Sequence, residues 1–314
     1  MKILLNFILS TCLFIYGLQL FSTSFGNIQS KIKLVLEHYT KSAKRGIILG
    51  TIVTALIQSS SIITSITVGL VNQNVLSFHN SIGIMMGANL GTCITSWITS
   101  LLSFDTTNIS PYLNINTYSP FLLLIGLIFY FKKKKRLSNL LIGYSLFIFG
   151  LSMIGTNLNL LKDYKIFKDI IESLNSPLLG LLIGLVTTCL VQSSSATVAI
   201  LQAISIKSTI NYYMAIPIIL GENIGSCITT IIASIGTCKN ARKVAYSHLF
   251  YNIIGTIIFI IIFYISKYLN FKFLYYKVNS LSIALIHTLF NFLSIIIFYP
   301  FINIFEKFIN KITK

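Results

Sequence analysis

The strongest constraint on this 314-residue chain is a polar tetrad that occurs twice inside apolar sequence, as Gln58-Ser59-Ser60-Ser61 and Gln192-Ser193-Ser194-Ser195. Each copy is followed at the same distance by a second cluster. These are Gly87-Ala88-Asn89-Leu90-Gly91-Thr92 and Gly221-Glu222-Asn223-Ile224-Gly225-Ser226, so tetrads and clusters alike lie 134 residues apart. Hydrogen-bonding side chains are costly where water is absent. A chain that sets them down twice, in register and without a gap, has two halves built on one plan.

The apolar setting is a membrane. Hydrophobic residues make up 54% of the chain and charged residues 10%, far below the roughly 25% charged of a soluble domain, and mean hydropathy is +0.82. Several apolar runs approach the ~20 residues a helix needs to cross a bilayer. The expected fold is therefore an all-α polytopic protein of the cell membrane. A formal charge of +17 raises the question of nucleic acid, but the basic residues sit in short clusters between apolar runs. That pattern suits topology signals and anionic lipid, and no nucleic-acid partner is expected. Cys12, Cys93, Cys189, Cys227 and Cys238 show no Cys-x-x-Cys spacing and read as small buried hydrophobes.

The first apolar run, Ile3 to Phe21, resembles a signal peptide only superficially. It is long, lacks a small-residue cleavage site, and contains Leu13-Phe14-Ile15-Tyr16-Gly17-Leu18, which is matched by Leu146-Phe147-Ile148-Phe149-Gly150-Leu151. The repeats then divide the chain into residues 1–136, 137–266 and an extra span with a basic tail, 267–314. Around each tetrad lie two apolar pieces too short to span, at about 46–71 and 178–206. They read as re-entrant helical hairpins, or as one interrupted span. Charge decides between these. With both segments re-entrant, 16 lysines and arginines lie on one side and 8 on the other, against 14 and 10 if both cross fully. The positive-inside rule prefers the hairpins. It also places the N-terminus outside and the C-terminus inside, and it makes the repeats inverted, each with a discontinuous helix carrying the Gly-x-Asn-x-Gly cluster.

Chemistry concentrates in these clusters. A serine run at a helix break offers hydroxyls, free N–H groups and the positive end of a helix dipole, which suit an anion. Freed carbonyls and amide oxygens suit a small hard cation, and Asn89 and Asn223 stand beside Thr92, Thr95, Ser226 and Thr229. Glu222 is the one acid inside an apolar span and is matched by Ala88. Such a carboxyl pairs with a cation, takes up a proton or faces a wet vestibule. His248 with Asn252, and His287 with Asn291, share helix faces at i, i+4 and read as packing or supporting residues. Small polar residues also glue membrane helices together, but a duplicated, in-register pair of clusters points to binding.

At these residues the chain resembles the sodium-dependent phosphate cotransporter family. Both tetrads are complete, both glycine-asparagine clusters follow the family's Gly-x-Asn-Ile-Gly-Thr stretch with Leu90 in place of isoleucine, and His287-Thr288-Leu289-Phe290-Asn291 is similar to an element in the last span of bacterial members. The resemblance implies phosphate near Gln58 to Ser61 and Gln192 to Ser195. It implies sodium as the coupling ion, with Asn89, Thr92, Thr95, Glu222, Asn223, Ser226 and Thr229 as candidate ligands, and no cofactor besides. Many bacterial members continue into a helical domain resembling PhoU, which this sequence does not contain. No arginine lies inside an apolar span, so a doubly charged phosphate needs helix N-termini, hydroxyls and co-bound cations. The rivals are a carrier of another small oxyanion, a phosphate exporter, a passive channel, and an intramembrane hydrolase using a tetrad serine with His248 or His287. The last has no Gly-x-Ser-x-Gly elbow to support it, and the chain is expected not to be an enzyme.

Overall fold

A computed structural model describes residues 2–24, 29–102, 115–161, 164–207 and 210–313. The loop around Asp105 lies outside them. Among the described residues the protein is helical and has no named strand. The first half comprises α1 (Lys2–Thr23), α2 (Gln29–Tyr39), α3 (Ala43–Ile57), α4 (Ser60–Asn72), α5 (Phe78–Leu102) and α6 (Ile115–Phe131). The second comprises α7 (Lys135–Leu161), α8 (Lys165–Ser173), α9 (Pro177–Val191), α10 (Ser194–Lys207), α11 (Tyr212–Gly225), α12 (Cys227–Ala233) and α13 (Lys239–Tyr268), and it is followed by α14 (Ser280–Phe298) and α15 (Ile302–Ile312). Four stretches, Lys135–Asn157, Tyr212–Ala233, Lys239–Tyr268 and Ser280–Ile312, are long and apolar enough to cross a membrane. The chain is an all-α polytopic membrane protein.

Both tetrad segments form hairpins. Helices α3 and α4 have 15 and 13 residues, or about 22 and 20 Å at 1.5 Å per residue, short of a ~30 Å hydrocarbon core. The chain reverses at Gln58, whose φ of 59° is left-handed and whose N–H bonds back to Thr54 O. Gln192 repeats this at φ 56°, bonding back to Thr188 O. Helix α3 runs beside α5 in the same direction, with Gly46 against Asn80 and Gly83, and Gly50 against Ile84 and Ala88. Helix α4 ends at Asn72 and the chain enters α5 at Phe78, so the open ends of the hairpin lie on one side. Lys33 Nζ ties α2 to that end through Gln73 Oε1, 2.8 Å.

The glycines of the Gly-x-Asn-x-Gly clusters serve close packing. A methyl group on Gly87 would strike the carbonyl of Ile47, and one on Gly221 that of Leu181. This changes the expected discontinuous helices. Helix α5 runs unbroken through Asn89, and between α11 and α12 only Ser226 intervenes, with helical angles and its N–H still bonded to Glu222 O at 3.0 Å. Glycine here lets backbones touch, as small residues do between membrane helices, and the backbone does not unwind. The extra span expected within 267–314 is also subdivided: α14 stops at a 3-10 turn, Tyr299–Phe301, containing Pro300, and the amphipathic α15 follows with Ile302, Phe305 and Ile309 buried.

The repeats interlock. Helix α1 packs on α7 through Gly17, Gly143 and Gly150, each against main chain of the other helix. The outer hairpin arms expose matching apolar stripes, Ile48, Ile52 and Leu56 on α3 and Leu182, Val186 and Leu190 on α9. Their spacing of four puts each stripe on one helix face, and with lipid as solvent such a face needs no further cover.

Candidate functional site

The two hairpin tips meet. A cavity of about 280 Å³ is lined by all eight tetrad residues together with Gln19 of α1 and Thr229 of α12, a size at the small end of ligand pockets. A neighbouring depression shares Ser61, Gln192 and Thr229 and continues past Ile66 and Ala233, toward the side where α4 and α12 end.

The eight residues divide the work at the tips. Gln58 and Gln192 make the left-handed reversals. Ser59 and Ser193 cap the helices that follow, accepting from the N–H groups of Ile62 at 3.4 Å and Ala196 at 3.3 Å. Ser60 and Ser61, and Ser194 and Ser195, form the first turns of α4 and α10, whose N–H groups have no intrahelical acceptor. Two helix N-termini therefore open on one cavity, each with its partial positive charge. Cross-links join the tips: Ser61 Oγ reaches Gln192 O at 3.5 Å, Ser195 Oγ donates to Thr95 Oγ1 at 3.3 Å, and Thr95 Oγ1 donates to Gln58 Oε1 at 2.7 Å.

The expected cation ligands do not form one group. Thr95 and Thr229 stand at the tips. Thr92 and Ser226 donate back into their own helices, to Ala88 O and Asn223 O. Asn89 lies deeper, accepting from His248 Nε2 at 2.9 Å and donating to Asn252 Oδ1 at 2.9 Å. Asn223 Nδ2 is shared between Ile219 O at 2.8 Å and Glu222 Oε2 at 3.1 Å. Glu222 is 1% exposed. Its carboxylate interacts with the Ser194 hydroxyl of the cavity wall, and its Oε2 lies 3.7 Å from His287 Nε2.

The histidines carry more structure than a packing role requires. His248 Nδ1 lies 2.9 Å from Thr230 Oγ1, and His287 Nδ1 lies 3.2 Å from Ser96 Oγ. Ser96 and Thr230 are themselves 134 residues apart. Each histidine thus joins α5 to the α11–α12 pair, and the partners run in opposite order: residues 96 and 222 meet at His287, 89 and 230 at His248. Helices α5 and α11–α12 are antiparallel. Among the described contacts the histidines meet Thr230 and Ser96 and no tetrad serine.

Three residues that sequence reasoning passed over belong to this core. Ser96 and Thr230 carry a legible signal, their matching offset. Gln202, fully buried, links Thr99 Oγ1, Ser96 O and Ser280 O. Its mate is Val68, so no repeat signal marks it.

The family model described as Na+/Pi-cotransporter matches residues 13–156 and again 146–294. YqeW of Bacillus subtilis, an uncharacterized protein, is 27% identical over 99% of this chain and 98% of its own length. YjbB of Escherichia coli K12, named a putative inorganic phosphate export protein, is 23% identical over the whole of this chain but only 56% of its own; the chain spans about half the length of that relative. Human sodium-dependent phosphate transport protein 2B is 47% identical over 57 residues, 18% of this chain and 8% of its own. No solved structure matches. With two copies of the family's repeat covering nearly all of its length, this chain belongs to the Na+/Pi-cotransporter family.

Proposed function

We propose that the protein is a secondary transporter that couples sodium to the movement of inorganic phosphate by alternating access, with its N-terminus outside and its C-terminus inside the cell membrane. The observation that carries this reading is the single cavity shared by both serine tetrads and by the N-termini of α4 and α10. Phosphate is a small anion that accepts hydrogen bonds on every side. First-turn N–H groups and hydroxyls from two directions suit it, and the absence of lysine and arginine from the cavity lining leaves charge balance to co-bound cations. Thr95, Thr229 and the Glu222–Asn223 pair supply oxygens for sodium.

A second reading, outward movement of phosphate, is favoured by the name of YjbB, to which the chain aligns from end to end. Direction follows from gradients, and both readings use one site. The deciding experiment is labelled phosphate flux in proteoliposomes with the sodium gradient imposed in either sense. Ser60→Ala and Ser194→Ala are expected to cut sodium-driven flux while the protein stays monodisperse. Undiminished flux in both variants sinks the assignment.

A further inference from the structure

A second hollow, of about 330 Å³, contains none of the tetrad residues and is lined by apolar side chains alone. It opens where the Tyr299–Phe301 turn separates α14 from α15, between Ile297, Phe301, Ile304 and Phe308 of that segment and Ile254 and Ile258 of α13. Aromatic rings stiffen one wall: Phe298 lies edge-on to Tyr251 and to Phe305, with centroids 4.8 and 5.6 Å apart. Phe301, Ile304 and Phe308 are exposed, so the hollow opens at the surface. In a membrane-spanning body such a surface meets lipid.

Cations stand at one end of it. Phe250 of α13 meets Phe308 of α15 edge-on at 5.4 Å and bounds the hollow there. Along α13, Ile258, Ile254, Phe250, Tyr246 and Arg242 follow one another at intervals of four and share one slowly turning face. Along the antiparallel α15, Ile304, Phe308 and Lys311 share another. Both faces therefore pass from the hollow, through the phenylalanine pair, to a cation. Tyr246, Arg242, Lys307 and Lys311 are all exposed. Among the described residues none of these three cations meets a carboxylate: the ion pairs are His79–Glu306 and His287–Glu222, and Glu306 is the one acid in α13, α14 and α15. Lys243 is directed elsewhere, over the Phe78 ring at 5.9 Å.

We propose that this hollow and its cations form a binding site for an anionic phospholipid, with an acyl chain between α13 and α15 and the phosphate held by Arg242 and Lys311. The sequence of apolar hollow, tyrosine and cations repeats the order of tail, ester region and headgroup in a leaflet. From Phe250 to Ile258 the hollow extends about 12 Å along α13 at 1.5 Å per residue, which suits the ~15 Å of hydrocarbon that one leaflet supplies. Charge selects the headgroup: three uncompensated cations favour a lipid of net negative charge over a zwitterion, whose own ammonium they repel. A lipid is the occupant, and not a free anion, because the cations adjoin an apolar hollow that a hydrocarbon chain fills. The leaflet is the inner one in the orientation proposed above; the site itself does not depend on the transport reading. A chain held there bridges α13 and α15 across the break at Pro300.

The test titrates the purified full chain, stripped of lipid in a neutral detergent, with phosphatidylglycerol, with phosphatidylcholine of the same tails, and with inorganic phosphate alone. Native mass spectrometry counts bound lipid, and the midpoint of thermal unfolding is followed. Phosphatidylglycerol is expected to bind about tenfold more tightly than phosphatidylcholine and to raise the midpoint. Arg242→Gln combined with Lys311→Gln is expected to remove that preference, at about fivefold for each cation, with an unchanged circular dichroism spectrum. Ile304→Trp, which fills the hollow, is expected to weaken binding of both lipids. Lys132→Gln combined with Lys133→Gln takes two cations from the turn between α6 and α7 and is expected to keep the preference. No preference in wild type, or a full preference in the Arg242 and Lys311 variant, overturns the proposal. So does unaltered lipid binding in Ile304→Trp. An equal loss in the Lys132 and Lys133 variant overturns it in favour of diffuse surface charge. A midpoint raised by inorganic phosphate alone, and lost with Arg242 and Lys311, overturns it in favour of a free anion.

Discussion

Replacing Gln58 by alanine and, separately, by glycine divides the backbone role of the hairpin tip from its side-chain role. At φ 59° a non-glycine residue carries about 1–2 kcal/mol of left-handed strain, which alanine retains and glycine relieves. Glycine returns about 0.5–1 kcal/mol through its freer unfolded chain, so the net relief is about 0.5–1. Both variants lose the Thr95 Oγ1–Gln58 Oε1 hydrogen bond of 2.7 Å, worth about 1 kcal/mol. Gln58→Gly should then match wild-type stability within about 0.5 kcal/mol, and Gln58→Ala should be about 1 kcal/mol less stable. Detergent-mediated unfolding followed by circular dichroism measures this difference, and proteoliposome flux measures function. Both variants are expected to lose phosphate flux at least tenfold, the loss of about 1.4 kcal/mol of binding. Equal stability of the two variants would refute the strain argument. Wild-type flux in Gln58→Gly would show that the tip needs only its backbone.

Gly221→Ala forces a methyl group onto the Leu181 carbonyl and is expected to cost about 2–3 kcal/mol as overpacking. Gly69→Ala on α4, with nothing within 4 Å of the added carbon, is expected to be neutral or up to about 1 kcal/mol stabilising; thermal unfolding compares the two. In a background without the five native cysteines, Asn270→Cys is expected to react with a membrane-impermeant maleimide added outside intact cells, and Lys133→Cys only after lysis. Both positions are exposed, so the reverse pattern inverts the orientation. His79→Ala breaks the 2.7 Å pair with Glu306, whose members are 36% and 27% exposed. It is expected to shift stability by less than about 1 kcal/mol and to leave flux unchanged, and a large loss of either would mean that α15 is tied to transport.

What could be read in advance was whatever the repeat wrote twice. The tetrads, the paired glycines and the half-length apolar pieces each specify local structure, and the hairpins follow from them because a helix of 13 or 15 residues cannot cross. The glycine-asparagine clusters misled because glycine permits two outcomes, an unwound backbone or a close approach. Which one holds depends on the partner helix, and Ile47 and Leu181 carry no mark of that role in sequence. Glu222 stood out through rarity, but its meeting with His287 depends on how α14 docks on the repeats. Pro300, which has no N–H and disfavours a helical Tyr299, ends α14 inside a run that stays apolar past it.

The pairing of α1 with α7 has a consequence for biogenesis. The face of α1 around Gly17 finds its partner only when Gly143 and Gly150 have been synthesised, more than a hundred residues later. Helix α1 must therefore wait, its small-residue groove open to lipid or to the insertion machinery, while three further helices and a hairpin are placed. Assembly cannot proceed one repeat at a time; the first half closes with a helix from the second. A nascent chain arrested before α7 should accordingly remain protease-sensitive in α1, however well its own hairpin has formed.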